Sequence, residues 1–86
     1  MKLPVIKSLT EFIDSHDEDY VLEAVDVLEH LSMAKGLKDE ELDVIGELIS
    51  NMLGAVEVSK MIKQGTPKQQ ALNDFMGRVL GSIDKT

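Results

Sequence analysis

The sequence contains no cysteine and no tryptophan, and its aromatic residues are limited to Phe12, Tyr20 and Phe75. Without cysteine, the chain can form no disulfide, no thiolate metal site and no cysteine nucleophile. Three scattered aromatic rings are also too few to form a platform on which the bases of single-stranded nucleic acid stack. These absences exclude a disulfide scaffold and disfavour binding of single strands.

Long apolar runs are missing as well. The longest apolar stretch, residues 52–56, is far shorter than the roughly 20 residues that a membrane-spanning helix needs. Residues 1–5 have neither the apolar core nor the small-residue cleavage site of an export signal. We therefore expect a cytoplasmic protein that does not enter a membrane.

The net charge of −7 is unevenly distributed. Residues 11–47 contain 13 acidic residues and only two lysines, whereas residues 58–86 contain two acidic and five basic residues. An acidic body disfavours nucleic-acid phosphates, which proteins bind through clustered lysine and arginine. The charge predicts no nucleic-acid partner, and it suits a solvated acidic face, a basic protein partner or a cation.

Apolar residues recur with helical spacing along the whole chain, and no stretch alternates with a period of two. Four helices are predicted, over about residues 4–14, 17–34, 39–64 and 66–83. Pro4 and Pro67 suit a first helical turn, and Gly36 suits the left-handed residue that ends a helix. The second helix can begin with a capping box at Ser15 and Glu18 or with Asp17 as its cap.

The apolar face of each helix supplies the predicted core. Its members are Val5, Ile6, Leu9, Phe12 and Ile13 in the first helix, Val21, Ala24, Val25, Leu28 and Leu31 in the second, Leu42, Ile45, Ile49, Met52, Leu53 and Val56 in the third, and Leu72, Phe75, Met76, Val79, Leu80 and Ile83 in the fourth.

Short connections near residues 15–17, 35–38 and 64–66 favour antiparallel neighbours. The predicted fold is therefore one compact all-α domain of four helices, residues 1–86. The third helix is unusually long, at roughly 37 Å against roughly 17 Å for the first. It must either bend or project an end that needs a partner.

Glycine is frequent inside the third and fourth helices. Each glycine in a helix interior lowers the stability of the helix by about 1 kcal/mol relative to alanine. On the third helix Gly46 falls at the edge of the core face, and Gly54 falls among polar residues. Gly46, Ser50 and Gly54 would form a strip of small residues, with Gly77 projecting from the fourth helix. Such strips let helix backbones approach closely, so these four residues are predicted to contact another helix, of the same chain or of a second copy.

Candidate ligand residues are few. Glu23, Asp26 and His30 share one exposed face of the second helix, and such groups can bind zinc, manganese or iron. His16 lies between Asp14 and Asp17, but no activated nucleophile is near it in sequence. No phosphate loop or dinucleotide fingerprint occurs, so neither a cofactor nor an enzymatic activity is predicted.

Four segments carry a resemblance to known proteins: residues 3–7, 17–23, 39–51 and 73–80, including Asp39-Glu40-Glu41-Leu42-Asp43. Through them the chain resembles a family of small bacterial all-helical proteins of unknown function. The resemblance spans nearly the full length and implies a stand-alone small domain. It implies no activity and no site residues.

Together these features predict a non-catalytic interaction or regulatory module, which self-associates as a homodimer through the third and fourth helices. Two alternatives stay open. One is a divalent-metal-binding protein that uses Glu23, Asp26 and His30, and the other is an acidic decoy or inhibitor of a basic protein.

Overall fold

The computed structural model describes residues 2–84, with side chains from residue 2 to residue 79. This part of the chain forms four α-helices, α1 (Leu3–Ser15), α2 (Glu18–Leu31), α3 (Asp39–Lys63) and α4 (Lys68–Asp84), and it contains no strand. The predicted all-α fold with four helices and a long third helix is therefore confirmed. The predicted core residues Leu80 and Ile83 lie outside the described side chains.

Local chemistry sets the ends of these helices. The Asp17 carboxylate accepts a hydrogen bond of 3.3 Å from the Asp19 backbone N–H, so Asp17 is the cap of α2. At the start of α3, the Lys38 backbone N–H donates to the Glu41 carboxylate over 2.9 Å. Gly36 and Gly65 have φ angles of +90° and +105°, the left-handed conformation in which glycine carries no steric cost.

The long helix α3 is the centre of the fold, and it contacts each of the other three helices. The α1 helix runs in the same direction as α3 along its C-terminal half, because Lys2 bonds to Asn51 while Ile13 and Ile62 line one cleft. The α2 helix runs antiparallel to α3, because its cap Asp17 lines that cleft and Leu31 at its other end lines a depression together with Ile45. The α4 helix returns along the C-terminal half of α3, so the N-terminal half of α3 is the least covered part.

The core differs from the predicted one mainly on α3. Ile45 and Val56 are buried, but Leu42 and Leu53 are exposed, which corrects their assignment to the core. Buried instead are several residues from other faces of α3: Asn51, Gly54, Ala55, Val58 and Ser59. The reason is that three helices surround the C-terminal half of α3, so no single face of the helix describes its burial.

Two further predicted core residues are exposed. Phe12 lies on the surface and its ring stacks on the His16 imidazole, with 4.1 Å between the ring centroids. Leu31 ends α2 where α1 no longer covers the bundle, and it is also exposed. Within the described part of the chain, no helix is both long enough and apolar enough to span a membrane.

Candidate functional site

The structure contradicts the placement of Gly54 on a polar face, because this residue is buried. A β-carbon at Gly54 would lie 3.0 Å from Cζ of Phe75 and 3.5 Å from Cδ1 of Ile6. The helix that comes close to Gly54 is therefore α4 of the same chain, with α1 beside it. The sequence left open whether the approaching helix belongs to the same chain or to a second copy, and at Gly54 the same chain supplies it.

The other small residues remain at the surface to different degrees. A β-carbon built on Gly46 or Gly77 would meet no described atom within 4 Å beyond its chain neighbours and the nearby helix backbone, and Ser50 is half-buried. Gly46 lies on the same side of α3 as Leu42 and Leu53, within about 40° of each on a helix of 100° per residue. We call Leu42, Gly46 and Leu53 the glycine flank.

The predicted metal candidates do not form a site. Among residues 2–79 no three histidine or acidic side chains gather closely enough to hold a metal ion. Glu23 and His30 are seven residues apart on α2, which separates their backbones by about 10.5 Å along the helix axis. Glu23, Asp26 and His30 therefore share a helix face without converging on one point.

A second exposed surface of α3 was not predicted as a site. Two adjoining depressions follow α3 from Glu40 to Asn51 and meet at Val44. Their apolar walls come from three helices and one loop: Val5, Leu31, Leu37, Val44, Ile45 and Leu48. Their charged lining consists of Glu40, Glu41, Asp43 and Glu47, with Lys2 at one end. We call this surface the acidic groove.

The most exposed apolar residue of the acidic groove on α3 is Val44, which is 58% exposed, and Leu48 one turn later is 38% exposed. The sequence did contain a signal for this surface. Val44 and Leu48 are apolar, lie four residues apart and fall on the side of α3 opposite Leu53. The signal was missed because the predicted core stripe was placed on one face only.

Asn51 marks the point at which the acidic groove ends and α1 begins. Its side chain is buried, its Oδ1 accepts a 3.0 Å hydrogen bond from the Lys2 backbone N–H, and its Nδ2 donates to the Glu47 carbonyl over 2.8 Å. The charged amino terminus and the Asn51 amide, both through hydrogen bonds, lower the pKa of the Glu47 carboxyl. Glu47 therefore remains negatively charged at neutral pH.

Three helices, α1, α3 and α4, and the connection between α1 and α2 line a separate cleft of about 270 Å³. Its lining combines opposite charges, Asp14 and Asp17 against Lys63 and Lys68. His16 also lines it, but the ring is stacked on Phe12 and its Nδ1 lies 3.1 Å from the Phe12 carbonyl oxygen. The ring of His16 also contacts Tyr20 edge-on, with 6.0 Å between the ring centroids.

The chain belongs to a family of unknown function, DUF6952, whose match covers residues 1–84. This finding confirms the resemblance to a family without a known activity. No curated protein and no solved structure matches the chain.

Proposed function

We propose that this chain acts through protein–protein contact and has no chemistry of its own. The observation that supports the proposal is the exposure of apolar side chains on two sides of α3, between Leu42 and Leu53. Val44 and Leu48 line the acidic groove, and Leu42 and Leu53 lie on the glycine flank. Contiguous apolar surface on a small domain is typical of sites that hold another protein.

A cross-linking experiment tests this proposal. A photo-reactive amino acid is placed at Val44 in the full chain, in the cell that produces it, and a control is placed at Asn73, which is exposed on α4. We expect cross-linked species at Val44 and none at Asn73. Equal cross-linking at both positions, or none at Val44, would contradict the proposal.

Self-association is a second form that this function can take, and the glycine flank favours it. Gly46 is open to solvent between Leu42 and Leu53, so a helix of a second copy could approach the α3 backbone there. Gly77, also open, would supply a similar close approach on α4. The proposed homodimer uses Gly46, Ser50 and Gly77, and it no longer involves Gly54.

A further inference from the structure

The cleft of about 270 Å³, which we call the charged cleft, lies between two parallel helices that carry the same sequence pattern. On each helix a hydroxyl residue is followed by an isoleucine three positions later and by a charged residue four positions later. These triads are Thr10, Ile13 and Asp14 on α1 and Ser59, Ile62 and Lys63 on α3. Residues with this spacing share one helix face. The charged cleft therefore has a hydroxyl layer and a charged layer about 6 Å apart, with the isoleucines between them.

The two hydroxyl groups differ in their hydrogen bonds. The Thr10 hydroxyl donates to the Ile6 carbonyl oxygen over 2.7 Å. Ser59 lines the charged cleft and is only 6% exposed, yet its hydroxyl makes no hydrogen bond with any residue that the structure describes. Burial of a polar group without a partner is unfavourable. The Ser59 hydroxyl is thus a hydrogen-bonding group available to a molecule that enters the charged cleft.

The charged layer carries both signs. Two of its residues have structural roles, because Lys68 Nζ lies 3.4 Å from Glu11 Oε1 and the Asp17 carboxylate caps α2. Asp14 and Lys63 form no ion pair within the described part of the chain, with each other or with another residue. One acidic and one basic side chain are therefore available to a ligand.

This combination selects one class of ligand. A simple anion would be attracted by Lys63 and repelled by Asp14, and a simple cation would experience the reverse. The volume of about 270 Å³ lies just below the range of about 300–1,000 Å³ for pockets that hold drug-sized ligands, which excludes nucleotides and peptide helices. A small zwitterion matches both charges, with its ammonium at Asp14 and its carboxylate at Lys63.

We propose that the charged cleft binds a free α-amino acid whose uncharged side chain ends in a hydrogen-bonding group, with L-glutamine as the member of matching length. The methylene groups of the side chain lie between Ile13 and Ile62, and its polar tip bonds to the Ser59 hydroxyl. An apolar tip would leave that hydroxyl unpaired. This site goes beyond the proposed function and is independent of it, because no residue of the charged cleft belongs to the acidic groove or to the glycine flank.

The test compares L-glutamine with three analogues, each of which lacks one group. Glutaric acid monoamide lacks the ammonium, L-glutaminamide lacks the carboxylate, and L-norleucine has the same length without the polar tip. Each compound is titrated into the full ¹⁵N-labelled chain and the amide shifts are followed by NMR. We expect L-glutamine to shift the amides of residues 10–14 and 59–63 with a Kd of about 1 mM or below. The two singly charged analogues should bind at least about tenfold more weakly and L-norleucine about fivefold more weakly.

Matched variants locate the ligand. Lys63→Gln should weaken L-glutamine binding at least about tenfold, whereas Lys60→Gln, on the same helix outside the charged cleft, should change it less than about twofold. Asp14→Asn and its control on α2, Asp26→Asn, should differ in the same way. Ser59→Ala should weaken binding of L-glutamine about fivefold and leave that of L-norleucine unchanged. It should not lower the Tm, because the hydroxyl has no partner in the free protein.

Four results would overturn the inference. The first is the absence of a saturable shift up to about 10 mM L-glutamine, and the second is equal affinity for L-glutamine and either singly charged analogue. The third is an equal loss of affinity in the Lys63→Gln and Lys60→Gln variants. The fourth is a Ser59→Ala variant that unfolds at a lower temperature and still binds L-glutamine as the wild type does, which would show that the hydroxyl serves the fold and not a ligand.

Discussion

The ring of Phe75 in α4 lies directly against Gly54 in α3, so close that a β-carbon at Gly54 would lie 3.0 Å from Cζ and 3.1 Å from Cε2 of the ring. Phe75 is itself buried. The glycine therefore allows an aromatic side chain to pack on the α3 backbone. Its cost in helix propensity is offset by the contact between α3 and α4 that it permits.

The Gly54→Ala variant is expected to be less stable than the Gly46→Ala variant, by at least about 1 kcal/mol in the free energy of unfolding. Both substitutions gain about 1 kcal/mol of helix propensity, but only the methyl group at position 54 must displace Phe75. Thermal unfolding followed by circular dichroism at low micromolar concentration measures the difference. For a domain of this size, 1 kcal/mol corresponds to a shift in Tm of about 4–8 °C. Equal stabilisation by both substitutions would show that Phe75 moves away without cost.

Asn51→Ala is expected to destabilise the protein by about 1–3 kcal/mol, because it removes a buried hydrogen-bonding amide. The Lys2 backbone N–H would lose its acceptor on Asn51 Oδ1, and the first turn of α1 should open more often. Hydrogen exchange of the α1 amides measures this opening. Asn73→Ala, at an exposed position on α4, is the matched control and should change stability by less than about 0.5 kcal/mol.

Self-association through the glycine flank is expected to give a species of twice the 9.5 kDa chain mass in sedimentation velocity. Gly46→Leu should return it to the monomer, because a large side chain there keeps a second backbone at a distance. Leu48→Ser lies on the other side of α3 and should leave the dimer intact. A wild-type chain that stays monomeric at high micromolar concentration would contradict the homodimer.

Zinc, manganese and iron(II) are expected to leave the melting temperature unchanged. Glu23, Asp26 and His30 do not form a cluster that could hold an ion, and a ligand raises the Tm only if it binds the folded state. Thermal scans with each metal and with a chelator provide the measurement. A rise in Tm that His30→Ala abolishes would restore the metal-binding alternative.

The sequence located most of the buried residues of α1, α2 and α4, but it misplaced several residues of α3. The apolar spacing of α1, α2 and α4 located their main buried residues, such as Ile6, Val21, Val25 and Leu72, because each packs mainly through one face. The α3 helix has three neighbours on different sides, so a single stripe misplaced Leu53 and Gly54. Which side of a central helix each neighbour covers depends on tertiary packing, and periodicity carries no information about it.

For the candidate surfaces, too, the sequence identified some of the residues but not how they are arranged. Gly46 was placed at the edge of the core face of α3 and the structure leaves it open, whereas Gly54, placed among polar residues, is buried. The acidic groove was not predicted, because it depends on how α1, α2 and the loop after α2 pack beside the N-terminal half of α3. The carboxylates on α3 were visible in the sequence, but their position beside an uncovered apolar channel was not.

Among the described residues α2 and α4 make no contact with each other, and each packs on its own side of α3. Local opening of one should therefore proceed without opening of the other. A partner seated beside Leu31 would slow amide exchange in α2 and in the first half of α3, and leave exchange in α4 at its original rate. The α4 helix would then keep its local stability whether or not a partner is bound, whereas the local stability of α2 would depend on that partner.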